Sequence, residues 1–213
     1  MYAAEHAARH PDRPAIIMEP GGETVTYGQY EARANQLAHF LRAQGLRRGD
    51  HIAILSRNCP EMLEVEAAAE RTGCYFTLVN SYLASDEVAY IVDNCRARIF
   101  FAAAALAEVA SAAAARCPGV ERFVMLDGAP TDARWEGLET VAGHLPTTPV
   151  ADEELGAAML YSSGTTGRPK GILRALSVST PAEAAASGGI QFLRRLFQFD
   201  EHMTYLNPAP LYH

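Results

Sequence analysis

The chain has 213 residues, of which 49% are apolar and 20% charged. That is the balance of an ordinary globular protein, and it excludes disordered, collagen-like, coiled-coil and membrane-spanning classes. Eighteen Lys and Arg against 25 Asp and Glu leave a net charge of −7, which speaks against a dedicated nucleic-acid face but not against a small anion held by a few local cations.

A chain of this length buries about 70% of its surface on folding, enough for a core without disulfides or a metal. The cysteines, Cys59, Cys74, Cys95 and Cys117, form no CxxC pair. They fit neither a zinc site nor a dense disulfide framework, and are expected to be free thiols in a reducing, cytoplasmic setting. The N-terminal stretch shows no basic segment followed by an apolar run. The alanine-rich stretch 99–115 is interrupted by Glu108 and falls short of a spanning helix.

In chain order, strands and helices alternate. Residues 15–18 read as a strand ended by Pro20-Gly21-Gly22. Thr26 and Gln29 have the spacing of a capping box, and Tyr30, Ala34, Leu37, Ala38 and Leu41 make one apolar stripe behind them, with Gly45 at the expected helix end. A strand is predicted at 51–55, a helix at 60–71 opened by Pro60 and closed by Gly73, and a strand at 75–79. A helix follows at 85–94, capped by Ser85. Next come a strand at 99–101, an alanine-rich helix at 103–116 and a strand at 122–126. This alternation implies an α/β fold, a doubly wound, mostly parallel sheet with helices on both faces. Residues 127–154 read mainly as a connecting loop with a weak helical patch at 135–141, and 157–161 as a further strand. The expected organisation is therefore an alternating part (1–126), a connector (127–154) and a final part (155–213).

The last strand runs straight into Tyr161-Ser-Ser-Gly-Thr-Thr-Gly-Arg-Pro-Lys-Gly171. Gly164 and Gly167 permit backbone angles that turn successive N–H groups inward as an anion nest. Ser162, Ser163, Thr165 and Thr166 add hydroxyls, Arg168 and Lys170 add charge, and Pro169 stiffens the exit. A Walker loop is excluded because Lys170 precedes Gly171 rather than Ser or Thr, and no GxGxxG or G-x-S-x-G pattern is present. His6 and His10, four apart, read as a solvated surface pair rather than a metal site. Arg194 and Arg195 read as the polar face of a helix that buries Phe192, Leu196 and Phe199.

The ordered 161–171 segment resembles the signature of the adenylate-forming, AMP-producing ligases, which include acyl-CoA synthetases, luciferases and peptide-synthetase adenylation domains. The opening Asp12-Arg13-Pro14-Ala15, Thr26-Tyr27 and the closing Tyr205-Leu-Asn-Pro-Ala-Pro-Leu-Tyr-His213 resemble the same family. Gly-Thr-Thr-Gly and Pro-Leu-Tyr-His are closer to its acyl-CoA synthetases. The resemblance implies an incomplete portion of that family's large N-terminal domain, with the C-terminal domain absent. It implies a fatty-acid (acyl) CoA ligase, in which a carboxylate displaces pyrophosphate from ATP and CoA then takes the acyl group. Ser162, Ser163, Gly164, Thr165, Thr166, Gly167, Arg168, Pro169 and Lys170 would cradle the β- and γ-phosphates. Ser162 would touch Mg²⁺, and His213 would line the catalytic, carboxylate-facing site.

The chain departs from the family in two respects. The later Tyr-Gly-x-Thr-Glu and Thr-Gly-Asp segments and the assisting lysine lie outside it, so the 213 residues alone are expected to be inactive. A Thr-His pair usual after Lys-Gly is replaced by Ile172-Leu-Arg-Ala. The competing expectation is a naturally short, catalytically dead protein that binds nucleotide or a partner. Truncation also predicts self-association, because half a sheet-based domain leaves apolar faces uncovered. Contact with a membrane surface is compatible with either expectation.

Overall fold

The computed structural model describes residues 2–19, 21–130, 132–162, 168–200 and 202–212. Its centre is a six-stranded, wholly parallel sheet in the order β7-β6-β5-β3-β4-β8. The strands are β3 (His51–Leu55), β4 (Tyr75–Val79), β5 (Ala97–Ala102), β6 (Arg122–Met125), β7 (Trp135–Gly137) and β8 (Ala157–Ala158). Two short antiparallel pairs stand beside it: β1 (Pro14–Ile17) with β2 (Thr24–Thr26), and β9 (Leu160–Ser162) with β10 (Lys170–Ile172). The chain begins the sheet at its middle, steps to β4, then crosses back over β3 to β5. The doubly wound α/β expectation holds.

Alternation along the central strands divides the core in two. Ile52, Ile54, Ile99 and Phe101 face α2 (Tyr27–Ala43), α3 (Pro60–Arg71) and α6 (Leu138–Ala142), meeting Leu37, Phe40, Met62, Val65 and Leu138. Ala53, Leu55, Phe100 and Ala102 face α4 (Ser85–Asn94) and α5 (Ala107–Ala114), meeting Val88, Ile91, Val92 and Ala110. A strand covered on both faces is apolar at every position, which is why β3 and β5 read as continuous apolar runs. At the end of α3, the Arg71 guanidinium bonds both Glu31 oxygens at 2.8 and 3.0 Å and also reaches Asn35, so α2 and α3 are joined by a buried ion pair.

Several local expectations hold to the residue. Thr26 Oγ1 accepts from the Gln29 N–H and Gln29 Oε1 from the Thr26 N–H, completing the capping box. Gly45 has φ +76° at the end of α2.

Others are corrected. Ser85 is not the cap of α4: the cap is Ala84, whose N–H donates to Glu87 Oε2 at 3.0 Å, and Ser85 Oγ accepts from Arg116 instead. The helix expected at 103–116 is a 3₁₀ turn, Ala104–Leu106, followed by α5. Residues 127–154 contain β7 and α6, because Trp135 is buried against Phe100 and Phe123 at the sheet edge. The strand expected at 157–161 is two strands serving two sheets.

His6, on α1 (Ala3–Arg9), is not solvated: it is buried and stacked on Tyr27 at 5.0 Å, and burial pushes its pKa below the usual histidine value. Helix α8 (Gly188–Leu196) buries none of its residues, leaving Phe192 63% and Leu196 58% exposed, with Phe199 also exposed just beyond its end. Between β10 and α8 lies α7 (Pro181–Ala185), capped by Thr180. No described helix is long and apolar enough to cross a membrane.

Candidate phosphate-loop site

The Gly-Ser-Thr segment leaves the sheet at the carboxyl end of β8, the edge at which open α/β sheets hold their ligands. Of the residues expected to form the site, Ser162, Arg168, Pro169 and Lys170 are described; Ser163, Gly164, Thr165, Thr166, Gly167 and His213 lie outside the described residues. The segment is an excursion from an antiparallel pair, with Lys170 opposite Ser162, Gly171 opposite Tyr161 and Ile172 opposite Leu160. Facing Cβ atoms in such a pair lie about 5 Å apart. Ser162 and Lys170 therefore face each other at the mouth of the loop, and both residues are exposed.

Gly171 is closely approached by side chains of the facing limb. A Cβ there would meet Met159 Cε at 2.4 Å and Tyr161 Cζ at 3.0 Å. The Tyr161 ring thus lies across the glycine, and the hairpin base is sealed on that side.

The flanks are fastened at several points. Tyr161 Oη donates to Asn94 Oδ1 at 2.6 Å, and Tyr90 Oη donates to the Pro169 carbonyl at 3.1 Å. The Arg168 guanidinium lies 5.0 Å from the centroid of the Tyr90 ring. Burial pushes the Tyr161 phenol above its usual range, so it remains a proton donor. After β10 the chain returns along the sheet. Tyr75 Oη donates to the Arg174 carbonyl at 2.5 Å, Arg48 Nη2 to the carbonyls of Leu176 and Ser177 at 3.0 Å each, and the Leu155 N–H to Ser179 at 2.8 Å.

The segment ending in Tyr212 docks at the turn after β3, at the same edge of the sheet. Asn58 Nδ2 donates to the Ala209 carbonyl at 3.0 Å, and its Oδ1 accepts from the Leu211 N–H at 2.9 Å. Leu211 packs against the first core cluster. Beside Asn58, burial pushes the Cys59 thiol up to about 11, which keeps it protonated and unreactive at neutral pH. Sequence reasoning missed Asn58, Tyr90 and Asn94. The one usable signal was a polar residue, Asn58, in a turn that follows the carboxyl end of a parallel strand.

For a polyphosphate the described groups fit: two cations, a hydroxyl and a braced hairpin. For Mg²⁺, no cluster of three His, Cys, Asp or Glu exists among the described residues. Ser162 is the described hydroxyl that would be within the loop's reach of such an ion.

Comparisons with known proteins bear on the family and the fold. The chain is 32% identical over 192 residues to a fatty acid–[acyl-carrier-protein] ligase, ScoC, of Streptomyces coeruleorubidus, covering 88% of this chain and 35% of that protein. It is 33% identical over 165 residues to a 3-hydroxybenzoate–CoA ligase of Aromatoleum, covering 76% of this chain and 31% of that protein. A crystal structure of a candidate long-chain-fatty-acid CoA ligase from Rhodopseudomonas palustris superposes over all of this chain and 51% of its own, with TM-score 0.80 at 24% identity, which establishes the fold. The chain thus spans about a third of the length of the curated relatives it matches. With residues 3–213 all matching the family described as AMP-binding enzyme, the chain belongs to that family.

Proposed function

We propose that the protein containing this chain is an acid–thiol ligase that activates a fatty or other hydrophobic carboxylate with ATP and passes it to CoA. The observation that carries the reading is the residue sequence of 161–171, whose described ends form a braced hairpin with Ser162 and Lys170 at its mouth. In the first step a carboxylate oxygen attacks the α-phosphorus of ATP, the bond to the β-phosphate oxygen breaks, and pyrophosphate leaves. In the second the CoA thiol, giving up its proton, attacks the acyl carbon and AMP leaves.

An anion must approach a polyanion in the first step, so catalysis is positioning and charge neutralisation. Lys170 and Arg168 supply positive charge where pyrophosphate charge grows, and Ser162, Ser163, Thr165 and Thr166 supply hydroxyls. The cradle is completed by Gly164, Gly167 and Pro169. Ser162 would be the loop's contact to Mg²⁺, which would supply further charge neutralisation. His213 lines the carboxylate side, at the end of the segment that Asn58 holds.

The fatty-acid preference is supported by the Streptomyces relative, which is a fatty acid ligase by name. The four free cysteines support a reducing, cytoplasmic setting. The exposed apolar residues on and after α8 support self-association of the 213-residue chain.

Titration of ATP into the protein, beside a Lys170→Ala variant, tests the reading. The variant removes charge-assisted hydrogen bonds and is expected to weaken binding about 10-fold or more. Carboxylate-dependent exchange of labelled pyrophosphate into ATP by the full-length gene product is the activity expected. ATP binding that Lys170→Ala leaves intact refutes the phosphate role. Binding weakened by the variant, with no exchange across a broad panel of acids, makes the protein a nucleotide-binding module rather than a ligase.

A further inference from the structure

The phosphate loop is rich in Gly, Ser and Thr, the composition with the most conformational freedom to lose on binding. A loop of this kind binds a polyphosphate well only if its two limbs are fixed beforehand. Both limbs here are fixed by one helix face. Tyr90 and Asn94 lie four apart on α4 and so project from the same side. Asn94 Oδ1 accepts from Tyr161 on the incoming limb at 2.6 Å, and Tyr90 Oη donates to the carbonyl of Pro169 on the outgoing limb at 3.1 Å. The Tyr90 ring also carries the Arg168 guanidinium at 5.0 Å, which sets a second cation two residues before Lys170.

α4 is suited to anchoring. Val88, Ile91 and Val92 are buried in the second core cluster, and Ser85 is bonded to Arg116 at the end of the neighbouring α5. An anchor on a rigid helix transmits no slack to the loop it holds.

We propose that Tyr90 and Asn94 are positioning residues of the phosphate loop, fixing its two limbs and, through the Tyr90 ring, the direction of Arg168, so that the limbs and their cations stand in place before a nucleoside triphosphate arrives. The inference rests on the reading of the loop as a polyphosphate site.

Tyr90→Phe keeps the ring under Arg168 and deletes only the bond to Pro169. Tyr90→Leu deletes both interactions, and Asn94→Ala frees the incoming limb. Three readouts are taken on each variant of the 213-residue chain: amide hydrogen exchange over 160–172, trypsin cleavage after Lys170, and affinity for inorganic tripolyphosphate.

Loss of one hydrogen bond is expected to speed exchange at 170–172 and cleavage after Lys170 about 3- to 10-fold in Tyr90→Phe. Tripolyphosphate affinity is expected to fall by a similar factor, with the melting temperature and exchange in β3 and β5 unchanged. Tyr90→Leu is expected to weaken affinity further than Tyr90→Phe, and Asn94→Ala to speed exchange at 160–162.

Unchanged loop exchange in Tyr90→Phe overturns the inference. So does faster exchange with unaltered affinity, provided Lys170→Ala weakens that affinity, because the contact is then structural only. If Lys170→Ala leaves tripolyphosphate binding intact, or the parent chain does not bind it, the polyphosphate reading fails. The exchange results then decide the anchoring alone.

Discussion

Glu66 lies on α3 with its Oε1 buried and without a hydrogen-bond partner, and Glu70 stands one turn further on. Burial first, and the Glu70 charge second, push the Glu66 carboxyl up from 4.5 to about 8. The Tyr30 phenol is raised in the same way, by burial and then by these two carboxylates. The unfolded chain gives up the Glu66 proton near its ordinary value while the folded chain retains it. The folded state therefore binds more protons across that interval. The contribution to stability is complete below about pH 4.5 and is lost as pH rises toward 8. Urea unfolding is expected to show stability declining over that window by about 1–3 kcal/mol. Glu66→Gln, neutral throughout, is expected to flatten the decline and to be the more stable form at pH 8. A parent and variant with the same pH slope would refute the assignment.

At this scale, what could be read from sequence was what is contiguous. Ser162, Arg168 and Lys170 announce themselves because their neighbours complete a pattern. Asn58, Tyr90 and Asn94 do not, since their partners lie 151, 79 and 67 positions away and leave no local trace.

At the scale of elements, the same division holds with a different cause. β3, α3 and β4 appear where the sequence puts them, because a buried parallel strand and a Pro-opened helix each carry their own signal. β7 was unreadable as a strand. It is three residues long, and its place depends on Trp135 meeting Phe100 and Phe123, side chains of other strands. The 157–161 run looked single because both of its halves are apolar, yet β8 pairs with β4 while β9 turns away to pair with β10.

Gly156 permits the approach to that junction. Its N–H donates to the Glu70 carbonyl at 2.7 Å, and a Cβ there would lie 2.3 Å from the Cys74 carbonyl oxygen and 2.5 Å from that of Ala69. Both are backbone atoms and cannot swing aside. Gly156→Ala is expected to destabilise the chain by about 3 kcal/mol, at the upper end of overpacking costs. It is also expected to expose the β8 edge of β4. Chemical denaturation with a shift of less than about 1 kcal/mol would refute the crowding.

The whole molecule exposes 11,237 Å² of surface, against about 9,600 Å² expected for a folded chain of its mass. Much of what is left uncovered is apolar and lies on or after α8: Phe192, Leu196, Phe197 and Met203 are all exposed. Arg194 and Arg195 do not offset this, because the helix they were expected to orient has no described apolar surface over it. Composition and periodicity show that α8 is amphipathic but not whether anything covers it. Sedimentation is therefore expected to show concentration-dependent association of the 213-residue chain. A Phe192→Asp, Leu196→Asp variant is expected to shift it toward the monomer. A parent chain that sediments as one sharp monomer at all concentrations would refute this.

The Asn58 clamp has an entropic consequence. Its two bonds join positions 151 and 153 apart in sequence, but the sheet and the Leu155–Ser179 bond have already brought most of that chain together. What the clamp itself closes is the stretch from Ser179 to Ala209, roughly 30 residues, at a cost of about 3 kcal/mol. Two hydrogen bonds at about 1 kcal/mol each, with the partial burial of Leu211, come close to that cost without greatly exceeding it. The docked and released forms of residues 207–212 are thus separated by far less free energy than folding itself, and these residues can exchange between them while the sheet stays intact.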